Sequence, residues 1–364
     1  MNSSKLKKPK IRFHLTNITG LGASKLLESL LPYLESDQQY KLHELYLPSL
    51  GPLSNYEPTK SCTKVSIYNR ILPNLFSRFI ECLFTTSKYN DGAPMIVFGD
   101  VPLRIYNSNQ IVFLHSSLIV TPWIKTKRLS TLKYVISRVI FKINLPYIKY
   151  IVVQTPVMEE KLLSIFPSLN EKIHIIPQPV PAWVKKDKHK KNQRIYTSDS
   201  ELTLIYPAAN YPHKNHKILK KIEGDPIDWP ISKLILTINE NINPAPNIKW
   251  IDCLGELSHE NLLKKYLDSD ALLFLSLEES FGFPLIEAMH LDLPIICPDL
   301  PFAKIICDDQ AVYFNPDDVN SLKSAVSELK EKLFNGWQPN WNKQLTKIPK
   351  DWKYVADSLI KLTN

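Results

Sequence analysis

One pattern limits what this chain can fold into: short apolar runs alternate with segments of helical spacing, stop at a charge-dense break, and begin again. In the first half the runs cover 11–15, 41–47, 95–98, 111–114, 150–154 and 173–176, with helical spacing over 23–35 and 157–165. In the second they cover 203–207, 233–237, 248–254, 271–276, 294–297 and 311–314, with helices expected over 260–268 and 285–291. Alternation of this kind builds parallel sheets, because a parallel neighbour is reached only through a crossover, usually a helix. The break, KKDKHKKNQRIYTSDS over 185–200, reads as a linker or an exposed hairpin. The expected organisation is an α/β domain over 1–185, a linker over 186–200, and a second α/β domain over 201–345. The final segment, 346–364, holds Trp352, Val355, Leu359 and Leu362 at helical spacing and is expected to pack back on the first domain. A chain of 364 residues, 44% hydrophobic and 22% charged, can support two cores of ordinary size.

Charge is divided unevenly. Of the net +9, residues 1–183 carry +11 and the remainder −2. The stretch 101–158 holds no acid and eight bases: Arg104, Lys125, Lys127, Arg128, Lys133, Arg138, Lys142 and Lys149. Such asymmetry points to an anionic partner: a membrane surface, a phosphorylated acceptor or nucleic acid. No nucleic-acid motif accompanies the charge, and no nucleic acid is expected. Over 124–149, Leu129, Leu132, Ile136, Val139, Ile140 and Ile143 share one helical face, beside Lys127, Arg128, Arg138 and Lys142. A helix of that kind lies on anionic lipid or packs on a core with a solvated basic face. No segment reaches the roughly 18 apolar residues of a membrane span, and the basic start lacks a signal peptide's apolar core. The expected location is the cytoplasm, and the lipid-contact alternative for the 124–149 helix would place the protein peripherally on the inner face of the membrane. Five cysteines, an odd number with no CxxC pair, argue against a disulfide framework and a zinc site.

The segment that carries chemistry is LFLSLEESFGFPLIEAM, residues 273–289. An apolar strand ends near Ser276, a polar loop follows, and Phe281-Gly282-Phe283-Pro284 leads into a helix. Proline suits the first helical turn, where its missing N–H costs nothing, and Gly282 permits a close approach by a ligand. A helix start offers backbone N–H groups to an anion or to sugar oxygens. Glu279 and Glu287 flank the turn, and carboxylates accept the paired O–H groups of a ribose or a sugar. A second segment, YPAANYPHKNHKIL over 206–219, places Lys214 near an expected helix start, where a cation can neutralise a departing diphosphate. Gly22 lies in the loop after the first strand, which resembles the glycine-containing, diphosphate-facing loop of the GT-B fold, and Gly255 follows another strand. His115 follows the run 111–114 and should emerge at a strand's carboxyl end. Asp268-Ser269-Asp270 has the spelling of a metal-binding pair but sits where a helix ends, and no metal is expected.

The Glu279-to-Glu287 spacing, with Phe281, Gly282, Pro284, Ala288 and Met289 in register, resembles the signature of the family 4 glycosyltransferases, retaining enzymes of the GT-B fold. The resemblance continues through LPIICPDLPFAKIICDDQAVYFNPDD and, upstream, IKWIDCLGELSHENLLKKYLDSDALLFLS. It implies two facing Rossmann-like domains with an interdomain cleft and a metal-independent hexosyltransferase using a nucleotide-sugar. The acceptor it implies is a saccharide or lipid-linked saccharide. It also implies that Glu279 contacts the donor sugar, that Glu287 binds the ribose, and that the backbone at Phe281, Gly282 and Phe283 holds sugar and phosphate. Lys214 would clamp the diphosphate, with His213 or His216 assisting. His115 would lie near the donor sugar or acceptor. The family's arginine a few residues before the lysine is missing: Ala208 and Ala209 stand there. No covalent nucleophile is evident, so the departing phosphate oxygen is expected to take the acceptor's proton. Two other functions share the architecture, a nucleotide-sugar epimerase and a non-catalytic subunit that binds a nucleotide-sugar or a lipid-linked glycan.

Overall fold

The structure, a computed structural model, describes residues 10–36, 40–58, 64–69, 74–84, 86–107, 109–120, 129–184, 194–222 and 228–363. Two compact units emerge, Met1–Pro179 with Pro349–Asn364, and Val180–Ile348.

The first unit is built on β1 (Lys10–His14), β2 (Lys41–Pro48), β3 (Lys64–Tyr68), β4 (Met95–Phe98), β5 (Gln110–Phe113), β6 (Tyr150–Val153) and β7 (Ile173–Ile175). Every pairing is parallel, in the order β3-β2-β1-β4-β5-β6-β7. Helices α1 (Leu21–Glu35), α2 (Asn74–Leu83), α3 (Leu129–Asn144) and α4 (Pro156–Ile165) lie between strands. The central strands are buried throughout, as in MIVF of β4, because helices cover both faces of a parallel sheet. Sequence periodicity missed β3: its KVSIY is an edge strand whose side chains are exposed or half-buried, so no apolar run marks it.

Two buried polar clusters order this unit. Arg12 on β1 donates through Nε to Glu44 of β2 at 2.8 Å and holds Asp91 through Nη1 and Nη2 at 2.5 Å. The Tyr46 hydroxyl also donates to Glu44. At the end of β1, His14 Nε2 meets Glu81 Oε1 at 3.0 Å, and the Thr16 hydroxyl donates to the same oxygen at 2.7 Å. His14 and Glu81 are fully buried. Glu81 belongs to α2, so its carboxylate fixes which side of that helix faces the protein.

Among the described side chains of α3, Ser137, Ile140, Phe141 and Asn144 are buried; those of Leu129, Leu132 and Lys133 lie outside the described ones. Asn144 Nδ2 donates to Pro102 O at 2.7 Å. The expected apolar stripe is therefore rotated, leaving Val139 and Ile143 exposed. Arg138 is not part of a free basic face: its Nε donates to Ile119 O at 2.9 Å. Lys125, Lys127, Arg128 and most of the interdomain break, 185–193, lie outside the described residues.

The second unit holds β8 (Leu202–Tyr206), β9 (Ile231–Leu236), β10 (Ile251–Cys253), α5 (His259–Leu267), β11 (Ala271–Leu273), α6 (Phe283–His290), β12 (Ile295–Pro298), α7 (Pro301–Cys307), β13 (Val312–Phe314), α8 (Val319–Phe334) and α9 (Asn342–Leu345). Its strands, again all parallel, run β10-β9-β8-β11-β12-β13. The chain then returns to the first unit as α10 (Trp352–Lys361), which packs on α1 and buries Trp352, Val355, Ala356, Leu359 and Ile360. No helix among the described residues is long and apolar enough to cross a membrane.

Candidate active site

In each sheet the order of strand addition reverses once, between β1 and β4 and between β8 and β11. Open parallel sheets bind ligands beyond the carboxyl ends of the strands at such a reversal, because the two adjoining loops diverge there and leave a crevice. In the second unit those loops carry Lys214 and Glu279. Lys214 Nζ lies 2.5 Å from Glu279 Oε1, with both side chains largely buried. The backbone fixes the pair: Leu277 N–H donates to His213 O at 2.7 Å, and the Tyr206 hydroxyl donates to Lys214 O at 2.8 Å.

Lys214 does not open an α-helix, as the sequence reading expected. It ends a 3-10 turn, Pro212–Lys214, and a second 3-10 segment runs His216–Lys221. Asn215 between them is left-handed, with φ of 56°, a conformation asparagine tolerates better than most residues. The neighbouring histidines add no charge. Burial, with the Lys214 cation alongside, lowers the pKa of His213 to about 4 and that of His216 to about 4. Both are neutral near pH 7, so the expected histidine assistance to charge neutralisation falls to Lys214. Ala208 and Ala209 place no charge beside it.

After β11 the loop reaches Gly282, the N-cap of α6, at φ 81° and ψ 57°. A side chain there would occupy a disfavoured backbone region, and its Cβ would stand 3.2 Å from Leu285 Cδ1. No side chain caps α6. Phe281 is buried and packs edge-on against Phe283, ring centroids 5.3 Å apart. One turn into α6, Glu287 is buried and accepts from the Tyr266 hydroxyl of α5 at 2.8 Å. Sequence reading passed over Tyr266. Its one signal was an aromatic at an inward position of the charged helix HENLLKKYL. Gly255 follows β10 at φ 72°, and a Cβ there would sit 3.0 Å from Asn239 Oδ1.

His115 and Gly22 belong to the first unit. His115 leaves β5 with its N–H and that of Ser116 donating to Asp100 Oδ1, at 2.5 and 2.9 Å. Its ring packs on Phe113, and burial lowers its pKa to about 3, so it can share hydrogen bonds but carries no proton charge. Gly22 is exposed in the first turn of α1, where a Cβ would meet nothing within 4 Å. Asp270 serves the protein itself: its carboxylate accepts from Arg194 Nη1 at 2.6 Å, the Tyr196 hydroxyl at 2.8 Å and Thr203 N–H at 2.8 Å. It ties the chain after the linker to the start of β8.

Two parallel α/β units of this kind are the architecture of the GT-B fold. Residues 240–335 match the family model described as Glycosyl transferases group 1, which bears out the resemblance to a glycosyltransferase over that segment. Among curated relatives, O-antigen chain mannosyltransferase RfbU of Salmonella typhimurium is 25% identical over 209 residues, 56% of this chain and 57% of that protein. Serotype-specific mannosyltransferase WbdA of Escherichia coli is 32% identical over 138 residues, 36% of this chain and 16% of that protein. The chain thus spans little more than half of the first relative and a small part of the second. Among solved structures, sucrose-phosphate synthase from Thermosynechococcus elongatus has a TM-score of 0.63 at 14% identity, covering 98% of both chains. WaaG, a glycosyltransferase involved in lipopolysaccharide biosynthesis, has a TM-score of 0.59 at 11% identity, covering 97% of this chain and 95% of its own. At those identities the likeness is one of fold.

Proposed function

We propose that this protein is a retaining, metal-independent hexosyltransferase of glycosyltransferase family 4. It moves a sugar, mannose by analogy with RfbU and WbdA, from a nucleoside diphosphate to a saccharide or lipid-linked saccharide acceptor in surface-polysaccharide synthesis. Its working place is the cytoplasmic face of the membrane. The observation that carries the reading is the Lys214–Glu279 pair at the strand-order reversal, beside the uncapped start of α6.

The pair is poised for exchange. An arriving diphosphate competes with Glu279 for the Lys214 cation, and Glu279 turns to accept hydroxyls of the donor sugar. Lys214 and the backbone at Phe281, Gly282 and Phe283 then face the charge that grows on the departing phosphate, in a site with little water to screen it. That phosphate oxygen accepts the proton from the attacking acceptor hydroxyl, and the new glycosidic bond forms on the face the phosphate leaves. Glu287, held by Tyr266, accepts the ribose hydroxyls.

The test is a panel of nucleoside-diphosphate sugars followed by thermal melting and transfer assays. The matching donor should raise Tm by roughly 5–10 °C at about a hundredfold excess over its Kd. Transfer should survive chelation by EDTA. A donor converted to an isomer without any acceptor would replace this reading with the epimerase. Tyr266→Phe should fold normally and bind the donor about tenfold more weakly, since one hydrogen bond orienting a buried carboxylate is lost. Isothermal titration checks it, and unchanged affinity would leave Tyr266 a packing residue only.

A further inference from the structure

Helix α2 is amphipathic in the wrong direction for a core helix. Its inward positions are Ser77, Glu81, Cys82 and Leu83, with Glu81 clamped to His14 and Thr16. Its outward face is Phe76, Phe79, Ile80 and Phe84, spaced i, i+3, i+4 and i+8. Phe76 is 65% exposed and Phe84 66%, and the Phe79 and Phe84 rings lie 6.0 Å apart. Helices of water-soluble surfaces place such a stripe inward; here the buried hydrogen-bonded contacts of Glu81 with His14 and Thr16 hold it outward. Helix α3 packs against α2 and exposes Val139 and Ile143 as well.

The rim of this surface is cationic and aromatic. Arg104 N–H donates to Cys82 O at the end of α2, which places Arg104 at the edge of the stripe. Its guanidinium lies over Tyr106 and Tyr147, which pack edge-on at 4.9 Å. Lys142 is exposed beside Ile143. The chain contributes no acid anywhere from 101 to 158. Apolar rings flanked by tyrosines and cations match the layering of a membrane interface, with acyl chains below and anionic headgroups above. A second copy of the same face would bring like charge against like, which disfavours self-association.

We infer that the exposed face of α2 and α3 docks the protein on an anionic lipid bilayer, with Phe76, Phe79, Ile80 and Phe84 inserted at the acyl boundary and Arg104 and Lys142 at the headgroups. This surface gives a physical site to the membrane location proposed above, but it involves none of the donor-binding residues, so the two readings fail separately. The experiment is flotation of the full chain with vesicles of phosphatidylglycerol and phosphatidylethanolamine, and with phosphatidylcholine alone. Wild type should float with the anionic vesicles only, and less as salt rises. Phe76→Ser with Phe84→Ser should lower partitioning at least about tenfold, since each removes an aromatic ring from the bilayer. Arg104→Glu with Lys142→Glu should lower it by at least about tenfold through lost headgroup attraction. Both variants keep every buried contact and should retain wild-type Tm and donor-induced shifts. Equal flotation of wild type and variants overturns the inference. So does failure of wild type to bind anionic vesicles, or a dimer in sedimentation velocity that the serine variant dissolves.

Discussion

Glu279→Ala is expected to reduce sugar transfer by about 10²–10³-fold while the protein folds and still binds nucleoside diphosphate. The carboxylate has two partners in turn. In the structure it neutralises Lys214 at 2.5 Å; in the proposed mechanism it holds the sugar once donor arrives. Removing it strips the sugar of its positioning group but leaves the lysine unopposed. Affinity for the bare nucleoside diphosphate should therefore stay the same or rise, while kcat falls. Lys214→Ala gives the opposite split, because the cation that meets the diphosphate is gone and Glu279 remains as a like charge. Titration with nucleoside diphosphate beside a radiolabelled transfer assay distinguishes the two patterns. Normal turnover in Glu279→Ala would remove the proposed active site altogether.

Arg12→Met should cost about 3–5 kcal/mol at pH 7, since breaking a buried pair from one side strands the other charge. Arg12 is almost wholly buried, and Glu44 nearly so. Burial alone would push the Glu44 pKa up, but hydrogen bonds from Tyr46 and Arg12 outweigh it and the net shift is downward. The hydrogen bond from Arg12 holds Asp91 well below the usual carboxylate range. Depressed carboxylates contribute stability that is present above their unfolded pKa, near 4, and is lost as pH falls through the folded values. In the methionine variant the part owed to Arg12 is absent while the Tyr46 hydrogen bond to Glu44 remains, and a protonated Glu44 is easier to bury than an ionised one. The gap between wild type and variant should thus hold near pH 7 and narrow as pH drops below about 5, through the unfolded and then the folded carboxylate values. Urea unfolding at several pH values measures it; a gap independent of pH would mean that Arg12 stabilises by packing alone.

Much of this protein was legible before any coordinates. All twelve strand runs read from the sequence have counterparts in the two sheets, because a strand covered on both faces must be a short apolar block. The Glu279-to-Glu287 segment was legible because Phe281, Gly282 and Pro284 each answer a local need: a buried ring, a left-handed N-cap and a first helical turn. Those are properties of neighbours in sequence.

What the tertiary structure alone decided are relations between distant residues. That Lys214 meets Glu279 across 65 positions follows from β8 and β11 being adjacent in the sheet, and strand order is not written in either segment. That His213 and His216 are neutral follows from burial, which depends on what packs over them. Tyr266 acquires a role only when α5 brings it to Glu287. The direction in which α2 turns its phenylalanines is the sharpest case: periodicity reports that a helix has two faces, and the buried Glu81–His14 contact chooses which one meets the protein. Short-range sterics and hydrophobic spacing are encoded locally, whereas charge pairing and burial belong to the folded arrangement as a whole.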